Sequence, residues 1–240
     1  MRVITSILFY LFISIWGAII PIMYFPAFIT RSRKLADHGA KIWSLGLTFI
    51  LNNLCQIDYR VIGLDKLPNE PFIVACKHQS MWETAIMHLI FNRPAYAYKK
   101  ELLKIPFYGW FVKIMTGIKV DRQGKMSAIK DLIKQSKKFL EEGHKIIIFP
   151  QGTRVPTGKN SQEYPYQPGI AAMYLSCNVK VVPAALNSGL FWPKSGLISK
   201  KGTITIEFLE PIATGLNKKQ FMAELERKIE INSNKLLNNH

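Results

Sequence analysis

Acidic residues are scarce in this chain of 240 residues, and that scarcity restricts its partners. The 16 Asp and Glu are outnumbered by 32 Lys and Arg, so the formal net charge of +16 favours nucleic acid, anionic lipid headgroups or phosphorylated substrates. The basic residues form no RRM, KH or zinc-finger pattern, and 48% of all residues are hydrophobic. We therefore expect an anionic membrane surface and a phosphate as partners, and no nucleic acid.

Cysteine is also rare, and the three present are far apart with no C-x-x-C pair. This spacing disfavours a zinc site or a disulfide framework, a reducing cytoplasm fits best, and we expect neither a metal nor a cofactor. Cys76 precedes His78 by two residues, so a strand would place both on one face and allow a catalytic thiol. The apolar neighbours of Cys76 favour a buried structural thiol instead.

Charge is absent from residues 3–30, and residues 3–20 form a nearly continuous apolar run. The run approaches the ~20 residues that a membrane-spanning helix needs. Pro21 and Pro26 interrupt it where a signal peptide would carry its cleavage site, which weakens that interpretation. The basic cluster at residues 31–41 favours a main domain on the cytoplasmic side.

A second apolar stretch, residues 42–57, contains Asn52, Asn53 and Gln56. It predicts an interfacial or half-buried helix more than a second span. We therefore expect residues 1–57 to form a membrane-associating helical segment and residues 58–240 to form the main domain. The alternative, that both apolar stretches are core helices, remains open.

After residue 58, strand and helix patterns alternate, which predicts an α/β fold with a mostly parallel sheet flanked by helices. Functional loops are expected at the carboxyl ends of its strands. A long polar loop at 155–168 is a candidate substrate rim. The predicted strands are 59–62, 72–76, 95–98, 118–121, 145–149, 179–186 and 203–209. The predicted helices are 80–91, 102–116 with a break at Pro106, 126–142, 169–176 and a carboxy-terminal helix.

His78 follows one of these strands, and Glu83 lies five residues further on. The two side chains can meet only if His78 lies in the loop and Glu83 in the first turn of the next helix, for which Ser80 is a suitable N-cap. The imidazole would then be a general base held in one tautomer. The alternative is a capping box, in which Glu83 accepts from the Ser80 backbone amide. Spacing alone does not separate the two interpretations.

A second polar cluster, Gln151-Gly152-Thr153-Arg154, follows the strand predicted at 145–149. Glycine lets backbone amides approach an anion, threonine adds a hydroxyl donor, and arginine can bind a phosphate through two parallel hydrogen bonds. Arg122 and Lys100 are further cations at loop positions. Taken singly, each of these residues could equally be solvated surface.

Together the motifs resemble those of the glycerolipid acyltransferase family, which includes 1-acyl-glycerol-3-phosphate acyltransferases. The resemblance extends over about residues 58–209, and its blocks occur in the family's order. It has two departures: Glu83 stands for the usual Asp, and Gln151 for the usual Glu of the third block. The four matching blocks are residues 78–83, 117–122, 149–154 and 181–184.

The resemblance implies acyl transfer from acyl-ACP or acyl-CoA to the free hydroxyl of 1-acyl-glycerol-3-phosphate, which gives phosphatidic acid. It implies that His78 is the base and Glu83 its orienting acid. It also implies the cell inner membrane, at its cytoplasmic face, as the location. The substrate phosphate would be bound by Arg154, Thr153, Gly152, Arg122 and Lys100.

Two alternatives remain open. The acceptor could be another lyso-lipid, such as a lyso-ornithine lipid or another lysophospholipid. The chain could also be a non-catalytic, basic membrane-binding protein, for which the departures at Glu83 and Gln151 are the only support.

Overall fold

Seven strands form one sheet in the computed structural model, which describes residues 2–105, 108–121 and 125–238. Every pairing is parallel except that between the sixth and seventh strands. The strand order is β1-β7-β6-β2-β5-β3-β4 for β1 (Ile57–Ile62), β2 (Ile73–Cys76), β3 (Ala95–Lys99), β4 (Gly117–Val120), β5 (Ile146–Ile148), β6 (Val181–Leu186) and β7 (Gly202–Phe208). The predicted mostly parallel sheet flanked by helices is therefore confirmed.

Eight α-helices are described, three of them before the first strand. They are α1 (Arg2–Met23), α2 (Phe25–Thr30), α3 (Arg33–Cys55), α4 (Trp82–Ile90), α5 (Tyr108–Ile114), α6 (Lys125–Glu141), α7 (Pro168–Cys177) and α8 (Lys218–Asn238). Pro106, where a helix break was predicted, lies outside the described residues.

The sheet is buried on both faces, which explains why β2, β5 and β6 are continuous apolar runs. Alternation along β2 sends Val74 and Cys76 into a core with α3 and α4. Ile73 and Ala75 point into a second core with α6, α7 and α8. Because β2 pairs with β5 on one side and β6 on the other, the loops after these three strands emerge side by side.

The amino-terminal helices pack on the sheet domain and on each other. The Trp16 indole N–H donates to the Trp43 carbonyl at 3.1 Å. A Cβ on Gly46 would lie 2.0 Å from the Trp16 ring, so only glycine permits this helix crossing. The Ser6 hydroxyl accepts from the Ile198 amide at 3.0 Å, and the Trp192 indole donates to the Tyr10 hydroxyl at 2.9 Å.

Pro21, which interrupts the apolar run of the sequence, lies inside helix α1, which continues to Met23. A proline this close to a carboxyl end removes only one hydrogen bond, so the helix tolerates it. Pro26 instead lies in the first turn of α2, where its missing N–H costs nothing. Within the described residues, Val3–Met23 is long and apolar enough to cross a membrane, and 17% of its apolar window is buried.

Helix α3 begins at Arg33, well before the apolar stretch predicted at 42–57, because Ser32 caps it by accepting from the Leu35 amide at 3.3 Å. The added turns bring Asp37 into the protein. Its buried carboxylate pairs with Arg93 Nε at 2.9 Å and with the Thr116 hydroxyl at 2.8 Å. The helix is therefore bound to the sheet domain by polar contacts as well as by packing.

Candidate active site

Two loops at neighbouring strand ends carry the residues that the sequence singled out. The His78 loop (residues 77–83) follows β2, and the Arg154 loop (residues 149–154) follows β5. The Val155 amide donates to the His78 carbonyl at 2.7 Å, and the Lys77 amide donates to Ala184 of β6 at 3.1 Å. These backbone bonds hold the His78 loop against both of its neighbours.

Glu83 is fully buried and accepts four hydrogen bonds. Its Oε1 lies 2.9 Å from His78 Nδ1, 2.5 Å from the Gln79 amide and 2.6 Å from the Ser80 amide. Its Oε2 accepts from the Ser188 hydroxyl at 2.8 Å. Both contacts considered from the sequence are therefore present at once, because one Glu83 oxygen serves the imidazole and the Ser80 amide together.

Helix α4 begins at Trp82 rather than at the predicted Ser80, and its N-cap position is Met81. The Ser80 hydroxyl still accepts from the Trp82 amide at 3.1 Å, so it satisfies one donor of the helix start. The first turn starts later because the Gln79 and Ser80 amides curl round the Glu83 carboxylate. An acid in the first turn is also favoured by the positive end of the helix dipole.

The His78 ring lies in one orientation. It stacks on Phe149 of the neighbouring loop, with ring centres 4.1 Å apart and planes 16° from parallel. Since Glu83 Oε1 already accepts two amide protons, Nδ1 of His78 must be the donor in their contact. That tautomer leaves a lone pair on Nε2, the nitrogen available to accept a proton.

A cavity of about 1740 Å³ opens beside His78. Its polar end contains His78, Gly152, Thr153, Arg154 and Lys194. The remainder is mostly apolar and is lined by Met81 and by side chains of α1, α4, β3, α5 and α6, among them Ile13, Phe111, Ile129 and Leu132. Such a space combines a site for a charged headgroup with room for hydrocarbon.

The predicted phosphate-binding residues do not all reach this cavity. Gly152, Thr153 and Arg154 line it, whereas Lys100 is about half exposed and donates to Asp121 at 2.8 Å. That hydrogen bond raises the pKa of Lys100. Arg122 lies outside the described residues.

Sequence reasoning did not identify Lys194 and Ser188. Lys194 lines the cavity, and its Nζ lies 3.5 Å from the Thr153 hydroxyl. The signal that could have indicated it is a cation directly after Trp192 and Pro193 in an apolar stretch. Ser188 offered no local signal, because its partner Glu83 lies 105 residues away in the chain.

Gln151 turns away from the cavity. Gly152, at φ +65°, forms a tight turn in which its amide donates to the Phe149 carbonyl at 2.8 Å. The turn sends the buried Gln151 side chain to α8, where its Nε2 donates to Glu230 at 3.3 Å. The Gln151 side chain therefore bonds the scaffold and not the cavity.

Two other titratable groups near the site are held neutral. Burial, reinforced by the nearby Glu83 charge, raises the pKa of the Cys76 thiol well above its usual value, which favours a structural role over catalysis. Burial also lowers the pKa of His88, which lines the cavity beside Tyr96, to about 4. Across the described residues, no group of three His, Cys, Asp or Glu side chains is placed to hold a metal ion.

Comparison with known proteins shows the family of this chain. The family model described as Acyltransferase matches residues 58–187. The chain is 32% identical to a 1-acyl-sn-glycerol-3-phosphate acyltransferase of Pseudomonas aeruginosa over 85% of this chain and 79% of that protein. It is 26% identical to a Saccharomyces cerevisiae protein of the same name, over 75% of this chain and 60% of that one.

A solved structure has the same fold. The crystal structure of the 1-acyl-sn-glycerophosphate acyltransferase from Thermotoga maritima superposes with a TM-score of 0.76 over 98% of both chains, at 20% identity. The chain is therefore an enzyme of the acyltransferase family, and it is similar to the 1-acyl-sn-glycerol-3-phosphate acyltransferases within it.

Proposed function

We propose that this enzyme transfers a fatty acyl chain from acyl-ACP or acyl-CoA to the free hydroxyl of 1-acyl-glycerol-3-phosphate, giving phosphatidic acid for phospholipid biosynthesis. One observation carries the proposal: a single cavity joins an oriented histidine, a cationic end and a long apolar interior. A lysophosphatidate needs all three, because it has a reacting hydroxyl, a phosphate and a hydrocarbon chain.

His78 is the proposed general base. Its Nε2 takes the proton of the acceptor hydroxyl as that oxygen attacks the thioester carbonyl carbon. The new C–O bond forms, the C–S bond breaks, and the thiolate leaves with the proton returned from the imidazolium. Glu83 holds the ring and stabilises its positive charge in between, so no acyl-enzyme intermediate is required.

The phosphate is proposed to bind at the cationic end of the cavity. Arg154 offers a pair of parallel N–H donors, and Thr153 and Lys194 lie within reach of each other beside it. Gly152 allows the backbone to approach the anion. Lys100 would act from outside the cavity, and Arg122 remains a prediction from sequence. Fixing the phosphate fixes the distance of the hydroxyl from His78.

The amino-terminal helices are proposed to bring this site to the membrane. Many large apolar side chains of α1 are exposed, among them Ile4, Leu11 and Ile22, while the opposite side of the helix packs on the sheet domain. Contacts of Ser6 with Ile198 and of Tyr10 with Trp192 hold the amino-terminal half of the helix on the domain, and Trp16 joins the helix to α3. We therefore favour insertion into one leaflet, at the cytoplasmic face of the inner membrane, where basic residues add ~1 kcal/mol each near anionic lipid.

The test is an assay of purified protein in detergent with acyl-ACP or acyl-CoA and a panel of lyso-lipids. Thiol release measures turnover, and mass spectrometry identifies the product. We expect phosphatidic acid from lysophosphatidate, with little product from a zwitterionic lysophospholipid or a lyso-ornithine lipid. A preference for either of the latter would mean that this lipid, and not lysophosphatidate, is the acceptor. An absence of thiol release with every pair would contradict the proposal.

A further inference from the structure

Glu230 lies on α8, outside the residues that the family model matches, and joins the two loops of the active site. Its carboxylate is 12% exposed and accepts three hydrogen bonds. Oε2 accepts from Lys77 Nζ at 2.6 Å, while Oε1 accepts from Gln151 Nε2 at 3.3 Å and from the Tyr166 hydroxyl at 3.1 Å. No motif in the sequence points to this residue.

Each donor belongs to a different segment of the site. Lys77 directly precedes His78, and Gln151 directly precedes Gly152. Tyr166 lies at the far end of the long loop that follows Arg154. One carboxylate therefore holds together the start of the His78 loop, the Arg154 loop and the end of the long loop. None of Lys77, Gln151 and Glu230 lines the cavity, so the cluster acts on the loops from behind.

This cluster contains one ammonium, that of Lys77, and one carboxylate, that of Glu230. The Lys77 side chain is 1% exposed, and Glu230 is its one carboxylate partner in the part of the chain that the structure describes. A buried ammonium without a counter-ion is strongly destabilising. Gln151 Oε1 is also buried, with no hydrogen-bond donor among the described residues. While Glu230 holds the Lys77 ammonium, a second charged oxygen at that position would have no ammonium of its own.

We propose that Glu230 is a positioning residue for acyl transfer, and that α8 thereby supplies the carboxylate that the third block lacks at Gln151. The proposal rests on the proposed function of the same site. Glu230 touches no substrate. It holds the backbone on either side of His78 and Arg154, so that the base and the phosphate-binding side chain keep their separation.

Restoring the usual acid with Gln151→Glu is the sharpest test. If residue 151 acted as its motif suggests, this variant would equal or exceed the wild type. Our proposal expects the opposite, because two carboxylates would lie about 3 Å apart and share one ammonium. We expect kcat/KM for the acceptor to fall by about tenfold or more, since like charges this close cannot both ionise.

A charge exchange provides the rescue. Glu230→Gln alone should also lower kcat/KM by about tenfold or more, because it leaves Lys77 buried without a counter-ion. The double variant Gln151→Glu with Glu230→Gln returns one carboxylate to the cluster and should recover to within about threefold of the wild type. KM for the acyl donor should hold in all three variants. A double variant no better than either single variant would overturn the proposal.

The pH dependence separates charge repulsion from simple distortion. The titratable groups around position 230 are Lys77, Tyr166, Glu226 one turn earlier in α8, and the Cys76 thiol. Two neighbouring carboxylates raise the pKa of one of them, so a shared proton relieves the repulsion as the pH falls. The activity of Gln151→Glu relative to the wild type should therefore rise from pH 8 to pH 6. A ratio independent of pH would contradict the charge argument.

Two further variants serve as controls for loss of folding and for general effects of substitution on α8. Glu226→Gln is the matched control, because its carboxylate bonds Ser161 and neither site loop, and it should retain wild-type activity. The double variant Lys77→Met with Glu230→Gln leaves no unpaired buried charge, so it should fold. It should still lose turnover, because the contact that holds the His78 loop is gone. Full activity in that variant would refute a positioning role. If the wild type fails on lysophosphatidate, the proposed function fails, whereas the coupling of positions 151 and 230 in the melting temperature still tests Glu230.

Discussion

The His78 loop and the Arg154 loop occupy equivalent places at the ends of neighbouring parallel strands, yet their polar groups are used in opposite ways. In the His78 loop, the buried carboxylate of Glu83 already has four donors. In the Arg154 loop, Arg154 and Thr153 line the cavity. The carboxylate of the first loop already has its donors, whereas the second loop presents its side chains to the cavity, as the proposed binding of a phosphate requires.

This difference follows from the chemistry proposed for each loop. A general base must be held in one tautomer and at one angle, which requires saturated hydrogen bonding around it. A phosphate brings its own acceptors, so its binding loop must keep donors unsatisfied until it arrives. Changes in the first loop should therefore lower kcat, whereas changes in the second should raise KM for the acceptor.

The largest effect is expected from His78→Ala. Loss of the base should lower kcat by ~10²–10⁴-fold, the usual contribution of general-base catalysis. The fold should persist, because the ring is partly exposed and stacks on a single neighbour. Thiol release and thermal unfolding measure the two quantities. His38→Ala, at an exposed histidine, is the control. Substantial turnover in His78→Ala would contradict general-base catalysis by His78.

Next in size is Glu83→Gln. The amide keeps the shape of the side chain but loses the charge that orients His78, so kcat should fall on the order of 10²-fold. Stability should fall by about 1–3 kcal/mol, because buried donors lose their acceptor. Glu83→Asp introduces the usual acid of the family and should restore a measurable part of kcat. Equal rates in the Gln and Asp variants would show that the charge is irrelevant.

Arg154→Lys tests the Arg154 loop. The charge remains but the paired N–H donors are lost, so kcat/KM for the acceptor should fall by about tenfold, with KM carrying most of it. KM for the acyl donor and the melting temperature should hold. The difference between the two loops would disappear if this variant instead lost kcat at unchanged KM.

Ser188→Ala removes one of the four donors to Glu83 and leaves the charge in place. A lost hydrogen bond to a charged group costs ~1.5–3 kcal/mol of stability, which chemical denaturation would measure. Turnover should fall by only about threefold to tenfold, since the remaining three bonds still orient the carboxylate. A loss as large as that of Glu83→Gln would mean that Ser188 acts on substrate directly.

The smallest effect is expected from Lys100→Ala. Its ammonium pairs with Asp121 in an exposed position, where such pairs contribute little. Acceptor KM should change by less than about twofold. Lys194→Ala is the matched comparison inside the cavity and should raise KM more. A larger effect at Lys100 would place the phosphate further along the cavity than we propose.

Local pattern was sufficient for the architecture. The apolar runs of β2, β5 and β6 predict buried parallel strands because both of their faces are covered. Spacing allowed His78 and Glu83 to be considered as a pair, because a loop residue and a first-turn residue of the next helix are local neighbours, but it did not separate the pair from a capping box. The start of α4 was misplaced by the same local logic, since a capping serine does not reveal that neighbouring amides bind an acid.

Contacts between distant segments could not be predicted. Ser188 meets Glu83 across 105 residues, and Lys77 meets Glu230 across 153. Ser188 and Glu230 have no motif around them in the sequence that would reveal these contacts. Both hydrogen bonds form only once β6 and α8 are packed beside β2. The Gln151 side chain likewise bonds a distant partner, Glu230, because the turn at Gly152 directs it to the scaffold and not into the cavity.

By itself the sequence determined the strand and helix pattern, the apolar amino terminus and the residues that meet at two strand ends, because each depends on periodicity or on short spacing. The family was indicated separately, by the resemblance of four ordered motif blocks. Only the tertiary structure decided that one Glu83 oxygen serves both His78 and the helix start, and that Lys194 faces the cavity while Lys100 does not. It also placed a carboxylate of α8 behind both loops. Those outcomes depend on which surfaces pack together, and a hydrogen bond of about 3 Å between distant segments leaves no trace in the order of residues.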